Sequence, residues 1–267
     1  MRPETYTHGH HSSVVAAHAA RTAQDCAAYL LPRLEPGMSM LDVGCGPGSI
    51  TADFAALTAP GPVIGVDAAE DVLVQARELA GSRGLTNATF TAGNVYDLDL
   101  PDETFEVVHA HQVLQHLADP VAALREMRRV TKPGGLVAVR DADFQAMSWY
   151  PAVPELSEWM QLYQQIARGN HAEPDAGRHL LSWVLEAGFT EVFPSSSNWL
   201  YATPEQRTKH AQSWADRVLH SALAEQALER GLADRDGLER IAAGWLEWAQ
   251  APDGWFLMPC GELLARA

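Results

Sequence analysis

The chain has 267 residues, 47% of them hydrophobic, enough for one sizeable core or a core with an insertion. Its net charge of −15 repels a phosphate backbone, so no nucleic acid is expected as partner. Three scattered cysteines (Cys26, Cys45, Cys260) read as reduced thiols rather than a disulfide framework. No apolar run is long enough to cross a bilayer, and residues 1–11 are polar and His-rich with no signal core. The expectation is a cytoplasmic protein with no membrane partner.

In chain order, residues 12–34 place small and apolar side chains at helical spacing, with Ser12 or Ser13 to cap the start and Pro36-Gly37 to end it. Met40, Leu41 and Val43 predict a short buried strand, followed by a glycine turn and a helix over 50–57. Val63-Ile64-Gly65-Val66-Asp67 reads as a second strand ending in an acid, and 70–84 as an amphipathic helix closed by glycine. A third strand falls at 88–92 and a fourth at Phe105-Glu106-Val107-Val108-His109-Ala110-His111. Asp119 and Pro120 start a helix to Val130, Lys132-Pro133-Gly134-Gly135 reads as a turn, and 136–139 as a fifth strand. Strands alternating with helices predict βαβ units and a parallel sheet.

Beyond Asp141 the pattern changes. Residues 145–178 carry Pro151, Pro154 and a helix rich in Trp and Leu. A helix over 177–187 and a strand over 189–202 follow, then a strongly helical stretch over 204–250. Trp255-Phe256-Leu257-Met258 reads as a last strand, turned by Pro259-Cys260-Gly261 before a short continuation. The division expected is an N-terminal helix and core over 1–144, a helical insertion over 145–178, and a core helix and strand over 179–203. A helical lid insertion over 204–250 and a final core strand over 251–267 complete it.

In a doubly wound sheet a ligand sits beyond the carboxyl ends of the strands, where strand order reverses. Candidates therefore lie just after each strand, and the run Leu41-Asp42-Val43-Gly44-Cys45-Gly46-Pro47-Gly48-Ser49 carries a glycine turn just after strand one. Its glycines let the backbone turn tightly and approach a ligand, and the helix behind points free N–H groups at the turn. The spacing is Gly-x-Gly-x-Gly, unlike the Gly-x-Gly-x-x-Gly of the dinucleotide fingerprint. Asp67, after the second strand, can accept both hydroxyls of a ribose.

This run resembles motif I of the class I S-adenosylmethionine (SAM) methyltransferases. Gly93-Asn94-Val95 after strand three, His111-Gln112 after strand four, and Leu124-Arg125-Glu126-Met127-Arg128-Arg129-Val130 before the Lys132-Pro133-Gly134-Gly135 turn resemble the same family in the same order. The resemblance implies an α/β fold with a doubly wound, Rossmann-like, seven-stranded and mostly parallel sheet carrying helical lid insertions. It implies SAM as cofactor, S-adenosylhomocysteine as product and a small-molecule acceptor as partner. Gly44, Gly46 and Gly48 would cradle the methionine moiety, with Asp42 orienting the turn and binding the SAM amine through water, or capping the helix. Asp67 and Ala68 would meet the ribose, Asn94 and Val95 the adenine, and His111 and Gln112 the methionine end.

Tyr6-Thr7-His8-Gly9-His10-His11, Arg21-Thr22-Ala23, Arg140-Asp141-Ala142-Asp143 and Asp253-Gly254-Trp255-Phe256 further resemble enzymes that S-methylate reduced epidithiol natural products such as gliotoxin. That resemblance implies a thiol acceptor. It places an N-terminal segment over the cofactor, with Tyr6 lining the sulfonium and Arg21 meeting the carboxylate.

His111 and His116 are candidate bases, with a helix cap as the plainer reading of His116. Arg140 either binds a polar acceptor or pairs with Asp141. Cys45 reads as a small packed residue rather than a nucleophile. The His8, His10, His11 cluster lacks matched partners, so no metal is expected. Trp149, Trp159, Trp183, Trp199 and Trp214 read as core, some of them walling an apolar acceptor pocket. Methyl transfer is an in-line displacement that asks the protein mainly for alignment and exclusion of water. The rivals are O-, N- or C-methylation of a secondary metabolite or quinone, a SAM-binding module without turnover, and an NAD-dependent oxidoreductase. A monomer or homodimer is expected.

Overall fold

The computed structural model describes Thr7, Val15 and residues 18–267. A short helix α1 (Ala23–Cys26) precedes β1 (Met40–Val43), whose four residues are all buried. Then come α2 (Ser49–Thr58), β2 (Val63–Asp67), α3 (Glu70–Ser82), β3 (Ala88–Ala92), β4 (Phe105–His111), α4 (Pro120–Val130) and β5 (Thr131–Ala142). The last third holds β6 (Ser148–Tyr150), α5 (Pro154–Gly169), α6 (Ala176–Glu186), β7 (Glu191–Tyr201), α7 (Pro204–His220), α8 (Ala222–Glu229), α9 (Arg235–Gln250) and β8 (Trp255–Arg266).

The sheet runs β3-β2-β1-β4-β5-β8, with β7 on the outer side of β8 and β6 beside the first residues of β8. Every described strand but β8 shares one direction. Met40 pairs with Val63 on one side and Val107 on the other, so order reverses at β1. That reversal opens a crevice beyond Val43 and His111. The fold is the expected α/β type, with eight strands where seven were expected. The three-residue β6 is the addition, laid end to end with β5 along β8.

Three further departures have local causes. The helix expected over 12–34 is broken at Thr22. This residue is extended (φ −123°, ψ 158°), and its hydroxyl accepts the Asp25 N–H, so the chain stops and restarts. Lys132–Gly135 does not separate α4 from the strand. It bulges out of β5, between the pairings of Thr131 with Phe105 and Leu136 with Val107. Pro259-Cys260-Gly261 does not turn, and β8 runs straight through it. Pro259 lies opposite the gap where β5 ends and β6 has not begun, and its carbonyl accepts the Asp143 N–H at 3.0 Å. A missing N–H costs nothing at such a gap.

Four helices form a separate layer. α5, α7, α8 and α9 enclose an aromatic core in which Trp159, Trp245 and Trp248 are fully buried together with Phe256 of β8. Trp159 meets Trp214 edge-on at 4.5 Å and Trp245 at 4.8 Å, the arrangement the ring quadrupole favours. This layer also holds Thr7, whose hydroxyl accepts from Asn170 at the end of α5 and whose carbonyl accepts from Gln226 of α8. On the other side of the crevice, the Ala23 N–H donates to Asp53 of α2, and the His18 carbonyl accepts the Ser49 hydroxyl.

Candidate active site

β1 ends against a turn in which Gly44, Gly46 and Gly48 all have positive φ (67°, 53° and 79°). The reasons differ. A Cβ on Gly44 would run into the Val113 methyl groups, so packing demands glycine there. A Cβ on Gly46 meets nothing within 4 Å, so that backbone faces open space at the crevice. Gly48 is the N-cap of α2 and offers no side-chain cap, which leaves the first N–H groups of the helix free at the turn.

Asp67 is joined to this turn. Its Oδ2 accepts the Gly46 N–H at 2.9 Å, and its Oδ1 accepts the Ala69 N–H at 3.0 Å. Each carboxylate oxygen keeps a further lone pair. Asp42 is buried beneath the turn, with Oδ1 2.7 Å from His109 Nδ1 and Oδ2 accepting the Thr51 hydroxyl. It braces β1 against β4 and α2. Ala68 is exposed beside Asp67. Asn94 lies just past β3, where the Gly93 N–H donates to the Asp67 carbonyl, and its side chain accepts the Tyr96 N–H. Val95 is half-buried next to it.

His18, Arg21, Asp42, Gly44, Gly46 and His111 line one cleft over the turn. It encloses about 40 Å³, room for a few water molecules. Arg21 crosses it to donate to Gln112 Oε1 at 2.5 Å. Asp67, Ala68, Asn94 and Val95 do not line it, so this cleft covers only part of the predicted site. Gln112 holds a positive φ of 55°, and its N–H donates to the Arg140 carbonyl. A larger cleft of about 420 Å³ lies at the opposite ends of the strands, lined by Arg33, Lys132 and Phe193 among others. It contains none of the predicted site residues.

His111 is buried, and neither ring nitrogen has a partner among the described residues. Burial, followed by the Arg21 and Arg140 charges, pushes its pKa well below the usual histidine value, so the ring is neutral. His116 is half-buried with its Nε2 3.0 Å from the Gln115 amide, and burial and then Arg21 push it down too. Gln115 in turn donates its N–H to Asp141.

Arg140 does not pair with Asp141. Its Nε donates to Ser197 Oγ at 3.0 Å and Glu262 Oε1 at 3.2 Å, and Trp199 lies over the guanidinium at 4.5 Å. Glu262 and the structural use of His109 are the residues sequence reasoning missed. Of the tryptophans, Trp159, Trp214 and Trp149 belong to the helical layer and Trp183, on α6, packs against the core under the sheet, while Trp199 stands by the crevice. All three cysteines are free and buried, and Cys45 packs with Leu73, Ala76 and Phe90. Tyr6 and the His8, His10, His11 cluster lie outside the described residues. Among the described residues no metal-ligating cluster forms, and no helix is long and apolar enough to cross a membrane.

A glycine turn feeding a helix, with the acid of the next strand tied to it, defines an α/β protein built to hold a nucleoside. The methyltransferase-domain family matches residues 34–207. An uncharacterised methyltransferase of Schizosaccharomyces pombe is 36% identical and is aligned over 98% of this chain and 96% of that protein. ltbC of Aspergillus luteorubrus, named as a methyltransferase, is 30% identical over 97% and 96%. The solved structure of YcgJ from Bacillus subtilis, 17% identical, superposes with a TM-score of 0.57 over 90% of this chain and 96% of that one. That likeness shows the fold. The chain belongs to the class I SAM-dependent methyltransferases.

Proposed function

We propose that the protein methylates a small-molecule thiol, with a reduced dithiol natural product as the acceptor class. The observation that carries this reading is the electrostatic setting of His111. Burial holds its imidazole neutral, and the Arg21 and Arg140 charges add to the effect; those two guanidinium groups favour an anion beside them, and a thiol becomes a thiolate far more readily than an alcohol becomes an alkoxide.

When bound, SAM supplies a methyl group already activated on a sulfonium. Asp67 would hold the ribose through its two remaining lone pairs, with Ala68 beside it. Asn94 and Val95 would meet the adenine. Gly44, Gly46 and Gly48 would hold the methionine moiety, with Arg21 on its carboxylate and Gln112 beside it. The open space at Gly46 and the free N–H groups of α2 support that fit.

The chain's own work is then alignment and exclusion of water. His111 and Trp199 stand edge-on at 5.6 Å and form the wall that an acceptor would meet. His111, neutral with both nitrogens open, accepts a hydrogen bond or donates one, according to its tautomer. The segment from His18 to Ala23 closes over the crevice by its ties to Ser49 and Asp53. The buried free cysteines fit a reducing cytoplasm.

The test is a mass-spectrometric assay with SAM and two matched acceptors, a reduced dithiol and a phenol. Mono- or bis-S-methylated product supports the reading. Turnover of the phenol alone overturns the thiol assignment and keeps the methyltransferase, while SAM binding without S-adenosylhomocysteine formation from any acceptor would indicate a binding module.

A further inference from the structure

Arg140 has 0% of its surface exposed, yet only one edge of its guanidinium is used. The Nε edge is taken by Ser197 and Glu262. Glu262 also accepts the Ser195 and Ser197 hydroxyls, and none of its three bonds comes from Nη1 or Nη2. Nη1 and Nη2 have no acceptor among the described residues. Buried charged donors left unpaired are costly, and an ion pair with Glu262 alone does not need this fork. The open edge is planar and bidentate, with a spacing that matches the two oxygens of a carboxylate.

The surroundings are fixed. Trp199 covers the guanidinium, and its indole N–H is held by the Asp25 carbonyl at 3.2 Å. The Tyr29 hydroxyl, also buried, has no partner among the described residues. Arg140 does not line the cofactor cleft, whereas its register partner His111 does. Neighbouring strands are about 4.8 Å apart, so the Arg140 fork lies one strand beyond the wall of the cleft.

We infer that the acceptor carries a carboxylate, or an equivalent planar oxyanion, which the Nη1–Nη2 edge of Arg140 binds against Trp199 while the methyl-accepting atom lies on the His111 side. The inference deepens the methyltransferase reading and rests on it, but not on the acceptor atom being sulfur. The acceptor is thus a compact acid, and Arg140 selects it by its handle. Both partners lie under the segment containing Arg21, Asp25 and Tyr29, so outward movement of that segment admits cofactor and acceptor together.

The experiment uses the full chain saturated with S-adenosylhomocysteine, titrated with benzoate and with its neutral isostere benzamide, and read by calorimetry and tryptophan fluorescence. Benzoate is expected to bind at least about tenfold more tightly than benzamide, as a bidentate charge-assisted pair requires. Arg140→Gln should abolish that preference, and Arg140→Lys should keep only part of it, since an ammonium lacks the fork. Trp199→Phe, which leaves the ion pair intact, should weaken benzoate without abolishing the preference. Equal affinity for the two probes, no binding of benzoate, or a preference that survives Arg140→Gln overturns the inference. So does a loss of S-adenosylhomocysteine affinity above about tenfold in Arg140→Lys, because the anion held would then be the cofactor's own carboxylate. Failure of the wild-type chain to bind S-adenosylhomocysteine in the preceding titration strikes instead at the cofactor assignment.

Discussion

Asp67 Oδ2 accepts the backbone N–H of Gly46 at 2.9 Å, so the acid that ends β2 is tied to the middle glycine of the turn that ends β1. The bond fixes the carboxylate relative to the turn before any ligand arrives. Asp67→Ala should therefore weaken S-adenosylhomocysteine binding roughly 10- to 100-fold, the loss of one or two hydrogen bonds to a charged group. Asp67→Asn, which keeps one acceptor oxygen, should fall between. Isothermal titration decides the matter, and unchanged affinity in the alanine variant would remove Asp67 from the site.

The roles of Gly44 and Gly46 separate by a matched pair of substitutions. Gly46→Ala adds a methyl to open space at φ 53°, with a strain of about 1–2 kcal/mol, and should reduce cofactor affinity while the unliganded protein keeps a cooperative melt. Gly44→Ala drives its methyl into Val113 at φ 67° and should cost about 2–3 kcal/mol or more in folding, since packing strain adds to backbone strain. Equal melting temperatures for the two variants would show that the clash at Gly44 is relieved by rotation of Val113.

Most of the parallel half of the sheet was legible because β1, β2 and β4 are short, mainly apolar segments and Gly, Pro and Asp punctuate the chain between the strands. β2, β3 and β4 have the limits their residues predict. What was not legible depends on partners distant in sequence. Pro259-Cys260-Gly261 has the composition of a turn, and only the gap between β5 and β6 makes it a strand. Asp141 is adjacent to Arg140 and invites pairing, yet successive strand residues face opposite ways. The actual carboxylate, Glu262, comes from 122 residues away. Thr22 shows the reverse case, a local cap visible in the sequence but outweighed there by the helical spacing around it.

The three thiols should be poor nucleophiles in the folded protein. Burial pushes Cys26 up to about 11 and Cys260 to about 12, and Cys45 higher still, with the Asp42 and Asp67 charges adding to its burial. At pH 8 the thiolate fraction at Cys26 is about one in a thousand. Iodoacetamide should label the native chain at least about 100-fold more slowly than the chain in guanidinium, where all three should react. Rapid single labelling of the native protein would identify a thiol that the fold exposes.

Asp141 gives the fold a pH dependence of definite sign. It is fully buried, its Oδ1 accepts the Gln115 N–H at 3.0 Å, and its Oδ2 has no partner among the described residues. Burial raises its pKa from 3.8 to about 7, against the opposing pull of the backbone hydrogen bond and of Arg140. Between these values the unfolded chain has released a proton that the folded chain still holds. Stability therefore declines as pH rises from about 4 to about 7 and levels off above, with a slope approaching 1.4 kcal/mol per pH unit from this group. Asp141→Asn keeps an acceptor for the Gln115 N–H and removes the titration. Its stability relative to wild type should climb across that window, from near zero or slightly unfavourable at pH 4 to its greatest advantage above pH 7. Urea midpoints at pH 5, 6, 7 and 8 for both proteins measure this. Parallel curves would show that Asp141 ionises in the fold as it does in water, which requires water to reach Oδ2 at the end of β5.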